Sequence, residues 1–439
     1  MALKQTLKIA SLVGVLTVLS KILGLTRDLV IAHYFGTSMQ ADAFNLAYLL
    51  TGNFFIILGG IGGPFYSSIV ATLPKLQNEK FKTNEFLKSI LARLTLISAF
   101  VALALFLSKN FILKIFIDQE LKPEYFEQTL LNIDILLPLI LLTAPAGILF
   151  AVLNCYKRYF APSLAPGVIN IVLIATLFLM GDSFHGLAIA IGTSIGAVLS
   201  LVIQIPSAFG NKGNELVEMG KELISKYKNE FYILLVPALL STTATQIMVF
   251  VDSYFCKYLE EGSWTAITIA NRLIQMPLGV VMTAFLVPVF PKITEMIAQG
   301  RIDRIKEVLT KSLGFLFMLC IPGIAIAMFF SKEIISIIFE RGAFNADSTA
   351  LVAEVFFYLS LSAIPYIFRD SFTRTLYCFG DSKSPLYVML IAMLLKVLLN
   401  LWLVGQIGIA GIAISTVLAS AFNASTLFFI VRKNLNKTV

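Results

Sequence analysis

Charge, cysteine and histidine are all scarce in this sequence. Only 14% of its 439 residues are Asp, Glu, Lys or Arg, against about 25% in ordinary soluble domains. The four cysteines, Cys155, Cys256, Cys320 and Cys378, lie in or beside apolar stretches and form no C-x-x-C pair. That excludes a disulfide framework and a thiolate zinc site. The two histidines, His33 and His185, are isolated, and no H-E-x-x-H, G-x-S-x-G or G-x-x-x-x-G-K-[ST] motif occurs. A hydrolase, an ATPase and a redox enzyme are thereby excluded. No block of Lys and Arg interleaved with aromatics exists, which excludes a nucleic-acid surface.

What the sequence has instead is apolar residues: 58% of the chain, with a mean hydropathy of +0.86. Water cannot accommodate that much apolar surface, so the chain reads as an all-α polytopic membrane protein. Twelve stretches are long enough to span: about 7–34, 40–73, 87–108, 126–154, 161–181, 185–207, 230–256, 264–290, 310–330, 348–377, 385–404 and 408–431. The first, flanked by Lys4, Lys8, Lys21 and Arg27 with no small-residue cleavage site, reads as a helix rather than a leader. Pro and Gly inside several stretches predict bends at Gly59–Pro64, Pro138, Pro145, Pro277 and Pro288. An even number of spans puts both termini on one side. With that side cytoplasmic, the inner loops collect Lys75, Lys80, Lys82, Lys88, Lys157, Arg158, Lys212, Lys221, Lys226, Lys228, Arg301, Arg304 and Lys306. The net charge of +8 has the same origin.

The chain divides into two six-helix bundles, 1–210 and 230–439, joined by a cytoplasmic linker at 211–229. The bundles look related. Leu153-Asn154-Cys155-Tyr156 followed by Pro162 lies 223 residues before Leu376-Tyr377-Cys378-Phe379 followed by Pro385. His185-Gly186-Leu187-Ala188 parallels Ala410-Gly411-Ile412-Ala413, and Pro74-Lys75 parallels Pro291-Lys292. A parallel repeat of six helices is a transporter architecture, with the substrate site expected between the halves.

Charges inside the spans carry the functional reading, since each costs about 2.5–3.5 kcal/mol at the bilayer centre on insertion scales. Lys21, Gly24 and Asp28 share one helical face, with Arg27 beside it. This stripe reads as the wall of a polar cavity; the structural alternative is a Lys21–Asp28 pair that joins helices. Asp42 opens the second span, either as a cavity charge or as a helix N-cap. Asn271-Arg272 lies near the start of the eighth span, either facing an anionic substrate or snorkelling to the interface. Asp252 and Asp370 are candidates for a coupling-cation site; the alternative for Asp370 is pairing with Arg369 or Arg374. Arg93, Asp134 and Lys396 read as interface or helix-contact residues without a role.

These residues bring a family into view. Ser20-Lys21-Ile22-Leu23-Gly24-Leu25-Thr26-Arg27-Asp28, then Ile31-Ala32, Phe35-Gly36 and Ala41-Asp42-Ala43-Phe44, resembles the opening of the MurJ (MviN) family. Ala270-Asn271-Arg272-Leu273 with Pro277 and Gly279 resembles its A-[DN]-R-[LI]…P-x-G. Arg374-Thr375-Leu376-Tyr377 with Asp381-Ser382-Lys383-Ser384-Pro385 resembles its R-x-[FY]-Y…D-[TS]-[KR]-[TS]-P. The resemblance implies a lipid II flippase, a transporter and not an enzyme, with the two-bundle fold of the multidrug/oligosaccharidyl-lipid/polysaccharide exporter (MOP) superfamily. It places Lys21, Arg27, Asp42 and Arg272 among the cavity charges, Lys21 replacing a more frequent Arg. It implies lipid II and membrane lipids as partners, cell-wall synthesis proteins as further candidates, and an inner-membrane location. No cofactor is implied; a monovalent cation or the membrane potential is the expected energy source. The second span departs from the family's Arg-Arg and Glu: Phe54-Phe55-Ile56-Ile57-Leu58 is uncharged, and Gly59-Gly60-Ile61-Gly62-Gly63-Pro64 resembles the cyanobacterial branch. Many members have two further C-terminal helices; here the spans end at Arg432-Lys433.

Overall fold

A computed structural model describes residues 2–59, 63–78, 83–181, 183–184, 186–209, 221–285 and 289–437. Residues 60–62 of the glycine-rich stretch, Lys80, Lys82, His185, Lys212, residues 210–220 of the linker region and Pro288 lie outside them. Among the described residues the ordered elements are helices. In chain order they are α1 (Ala2–Phe35), α2 (Met39–Leu50), α3 (Gly52–Gly59), α4 (Pro64–Asn78), α5 (Asn84–Phe116), α6 (Pro123–Leu136), α7 (Pro138–Cys155), α8 (Phe160–Met180), α9 (Leu187–Val202), α10 (Ile205–Phe209) and α11 (Lys221–Phe255). They continue as α12 (Ser263–Phe285), α13 (Val289–Ala298), α14 (Ile302–Phe329), α15 (Ser331–Phe339), α16 (Ala346–Ser360), α17 (Ala363–Cys378), α18 (Lys383–Ile407) and α19 (Ile409–Lys437).

Nine helical stretches among the described residues are long and apolar enough to cross a membrane, or ten if α16 and α17, bent by 45°, make one span. Twelve were expected from hydropathy. The longest helices are α1 and α11, of 34 and 35 residues. At 1.5 Å per residue each is about 50 Å long, well over the ~30 Å hydrocarbon core. The expected span 40–73 is divided among α2, α3 and α4, and 126–154 breaks where α6 gives way to α7 at Pro138. Proline opens α4, α6 and α7, where its missing N–H costs nothing. Pro145 and Pro277 lie inside α7 and α12 without ending them.

Internal contacts group the chain into two units, Met1–Phe250 and Val251–Val439. The first unit thus takes in most of α11, which the sequence reading assigned to the second bundle from residue 230. The reason lies in side chains: Ile224, Tyr227, Phe231 and Leu235 of α11 bury themselves with Ile69 and Leu73 of α4, Phe86 and Ile90 of α5 and Ala151 of α7. The second unit has its own core of Ile293, Ile305, Leu309, Phe372, Leu376, Val388, Leu427 and Val431, from α13, α14, α17, α18 and α19. Outward faces stay apolar, as lipid requires. On α5, Phe100, Leu103, Leu107 and Phe111 are all exposed. On α9, Gly192 and Gly196 form a G-x-x-x-G stripe; a Cβ at Gly196 would come within 2.9 Å of Ile169 Cα on α8. Backbones this close pack by van der Waals contact, the main attraction between helices in lipid.

The repeat is written into the helix ends. α7 and α17 end at Cys155 and Cys378, and α8 and α18 begin at Phe160 and Lys383, both 223 residues apart. In each unit the helix closes with a residue at positive φ, Lys157 at 60° and Gly380 at 77°. The next amide then returns to the fifth carbonyl before it: Arg158 N to Leu153 O at 2.8 Å, and Asp381 N to Leu376 O at 2.9 Å. This is a Schellman closure, usually glycine's place. The second unit uses glycine; the first forces a lysine into it.

Candidate functional site

The first unit assembles its charged group on α1. Arg27 is held by two partners. Its Nε and Nη2 donate to Asp28 Oδ1 at 3.0 and 2.8 Å, and its Nη1 donates to Asn170 Oδ1 on α8 at 3.2 Å. Neighbouring residues on a helix do not face each other. Arginine reaches Asp28 because its long stem folds back along the helix. Asn170 in turn donates from Nδ2 to the Ser20 carbonyl at 3.3 Å, tying α8 to α1 about two turns before Arg27. Gly24 lies beside this bond: a Cβ there would stand 3.6 Å from Asn170 Nδ2, an ordinary contact.

Three of the five guanidinium N–H groups are used in these bonds, leaving donors for an anion. The Arg27 and Asp28 side chains keep 22% and 13% of their surface open, so the group is neither sealed nor fully solvated. A planar fork fixed by a carboxylate and an amide suits phosphate oxygens, which it can bind bidentately. Lys21 lies exposed on the same helix, with Val18 and Ile22 also exposed beside it.

The other anticipated residues fall as follows. Asp42 lies in the first turn of α2, which starts after the cap position Ser38; it is buried and is not the cap itself. An acid there is favoured by the free N–H groups of the helix start. In the second unit, Arg272 and Asn271 are half-buried on α12. That helix begins at Ser263, nine residues earlier, so Arg272 sits about 13 Å into it rather than at its edge. Asp370 pairs with Arg374 at 2.7 Å, one turn along α17, and Arg369 lies over the Tyr366 ring at 4.2 Å. Asp252 pairs with Lys396 of α18 at 2.7 Å. The two aspartates considered for one cation site therefore each hold a different basic partner. Asp134 is bonded to Lys109 across α5 and α6. Among the described residues, no group of three His, Cys, Asp or Glu side chains could hold a metal ion.

Asn170 is not singled out by the sequence, and Lys396 reads there only as an interface or helix-contact residue. Each is a polar side chain inside an apolar span, and that alone was the available signal.

Membrane-length helices with charges set into them define a polytopic membrane protein. Among solved structures, the chain resembles one described as lipid II flippase MurJ in an inward closed conformation, at TM-score 0.79 and 24% identity, covering 97% of this chain and 89% of that one. It also resembles an inward-facing MATE-family multidrug resistance transporter of the MOP superfamily, at TM-score 0.74 and 12% identity, covering 95% of each. Those likenesses establish the MOP-type fold. A probable lipid II flippase MurJ of Synechocystis sp. is 28% identical over 443 residues, covering 97% of this chain and 81% of that protein. A probable lipid II flippase MurJ of Thermotoga maritima is 26% identical over 412 residues, covering 91% and 80%. The family model described as "Lipid II flippase MurJ" matches residues 31–439, and the chain belongs to that family. The family is one of transporters, not enzymes. The Lys21–Arg27–Asp28 stripe precedes the matched range, although the relatives' alignments reach over almost the whole chain.

Proposed function

We propose that this chain moves lipid II, the undecaprenyl-pyrophosphate-linked peptidoglycan precursor, from the cytoplasmic to the periplasmic leaflet of a bacterial inner membrane. Both termini are cytoplasmic in this reading, following the distribution of Lys and Arg between loops. The observation that carries the site is Arg27, fixed by Asp28 and Asn170 with N–H groups to spare. Arg27 and Lys21 bind the pyrophosphate; Asp28 orients Arg27. Asp42, Asn271 and Arg272 contribute to headgroup recognition from their own helices. The lipid tail stays in the bilayer while the headgroup is exposed alternately to the two sides. The membrane potential or a monovalent-cation gradient drives the cycle, and a charge crossing 100 mV gains about 2.3 kcal/mol.

A second reading is a flippase for another lipid-linked glycan or a cation-coupled drug exporter, which the MATE-like fold favours. The cationic stripe disfavours organic cations. One experiment separates these. A host depleted of its lipid II flippase expresses this chain, and a periplasmic probe follows lipid II in the outer leaflet. Rescue by the wild type, lost in Arg27→Ala and Arg272→Ala, supports the proposal. Absence of rescue despite good membrane expression refutes it and directs the search to other lipid-linked glycans or drugs.

A further inference from the structure

The second unit contains a buried charge cluster that the proposed headgroup site does not include. Asp252, near the end of α11, and Lys396, in the middle of α18, form an ion pair of 2.7 Å with only 10% and 4% of their side chains open. Asn400 lies one helical turn beyond Lys396 on the same face. Its Oδ1 accepts from Ser415 of α19, whose hydroxyl also reaches the Ile412 carbonyl. Two atoms of this buried group, Asp252 Oδ1 and Asn400 Nδ2, have no hydrogen bond within 3.5 Å, although the two side chains neighbour each other.

A carboxylate buried among membrane helices demands a cation. There are two ways to supply one. A mobile metal ion can enter from a gradient, held by hard oxygen ligands such as carboxylate, amide carbonyl and hydroxyl. Alternatively a lysine can bring an ammonium on a tether. The cluster has oxygens of the kind the first arrangement uses: the Asp252 carboxylate, and Asn400 Oδ1 and Ser415 Oγ, which are bonded to each other. It has the cation of the second.

We propose that the Lys396 ammonium is a built-in counter-ion for Asp252, standing where a monovalent metal ion would otherwise bind, so that this chain works without sodium at that carboxylate. A tethered cation cannot be exchanged with the medium. It therefore cannot carry the energy of a sodium gradient, and the drive must come from elsewhere, the membrane potential included. The consequence for transport rests on the flippase reading above; the cation site itself does not. The simpler role, a pair that merely joins α11 to α18, shares the expected loss of stability on mutation. It differs in one respect: a plain joint gains nothing from added alkali ions.

The test uses the full chain in detergent, unfolded thermally in sodium, lithium or choline chloride at matched ionic strength. The wild type should melt at the same temperature in all three. Lys396→Asn should melt lower in choline and recover by several degrees as sodium or lithium is added. Asp252→Asn/Lys396→Met, with no charge left, should show no such recovery. A sodium-specific rise in the wild type that Asp252→Asn abolishes would overturn the proposal. So would a Lys396→Asn protein that is indifferent to alkali ions. Should Lys396→Asn not fold, the wild type in vesicles decides: lipid II translocation unchanged when choline replaces sodium supports the proposal, and a tenfold loss refutes it. Translocation absent in every medium counts against the flippase reading and leaves the melting comparison intact.

Discussion

Asn170→Ala is the substitution that most directly tests how Arg27 is positioned. Asn170 accepts from the guanidinium at 3.2 Å and donates to the Ser20 carbonyl at 3.3 Å. Both bonds are at the long end of the usual range. A hydrogen bond to a charged group is worth about 1.5–3 kcal/mol in soluble proteins, while polar contacts between membrane helices average nearer 0.6. Loss of about 1–2 kcal/mol of positional preference at Arg27 is the reasonable middle. If that preference is spent in the rate-limiting step, translocation slows by roughly 5–30-fold. Arg27→Ala removes the charge itself and leaves Asp28 without its cation, so its effect should be larger, about 100-fold or more.

The assay is a proteoliposome carrying lipid II, with a membrane-impermeant probe reporting headgroups that have crossed. Asn170→Asp is the informative partner. It keeps an acceptor for Nη1 but sets a second anion beside Arg27, so the fork stays in place while its pull on a pyrophosphate falls. Asn170→Asp should therefore lose apparent affinity for lipid II more than it loses maximal rate. Asn170→Ala translocating at the wild-type rate, in a series where Arg27→Ala is inactive, would refute the positioning argument.

Three further outcomes follow from the packing. Lys157 occupies a left-handed helix closure while exposed, so Lys157→Gly should raise stability by about 0.5–1 kcal/mol, and Gly380→Ala in the matching closure should lower it by about 1 kcal/mol, both read by thermal unfolding. Gly196→Ala drives a Cβ to 2.9 Å from Ile169 Cα, and overpacking of this kind costs about 1–3 kcal/mol, visible as a lower melting temperature with α8 and α9 loosened in hydrogen exchange. Asp381 lies outside the spans and accepts from the Ser384 amide at 3.0 Å at the start of α18. Its slight burial pushes the carboxyl up, but the bonds from Ser384 and Lys383 outweigh this and hold it below its ordinary 3.8. The anion's contribution is complete above that value and is lost as pH falls through the depressed one. Asp381→Asn should flatten this acid limb, and Asp381→Ala should cost about 1 kcal/mol at neutral pH.

Much of this was legible in the sequence because it is local. Helical class and the break at Pro138 follow from residues a few positions apart, and the Cys155 and Cys378 segments match by direct comparison of sequence. What was not legible depends on contacts across the chain. Asn170 meets Arg27 over 143 residues and Lys396 meets Asp252 over 144, and hydropathy has no term for either. Asp28 was read with Lys21 as one helical face, yet it is the adjacent arginine, with a stem long enough to turn back, that holds it. The bundle boundary was set by polarity at the linker. The start of α11 is polar enough to read as linker, but it presents Ile224, Tyr227 and Phe231 at helical spacing to the first unit's core.

The two charge groups set into the spans differ in sign and in closure. α8 and α18 begin 223 residues apart. Each is tied to an earlier helix by a charged side chain: α8 to α1 through Arg27 and Asn170, and α18 to the last turn of α11, the part that belongs to the second unit, through Asp252 and Lys396. The polarity is reversed. In the first unit the cation rides on the opening helix, its acid is its own neighbour, and the link to α8 is a neutral amide. Guanidinium donors are left over and the group stays partly open. In the second unit the acid rides on the end of α11 and α18 supplies a full positive charge, so the pair is neutral and closed. An anionic headgroup gains from the first arrangement and finds nothing to bind in the second. Installing the first arrangement's logic in the second unit, by Lys396→Asn, should thus create a site for a cation rather than an anion, because the charge left exposed there is a carboxylate.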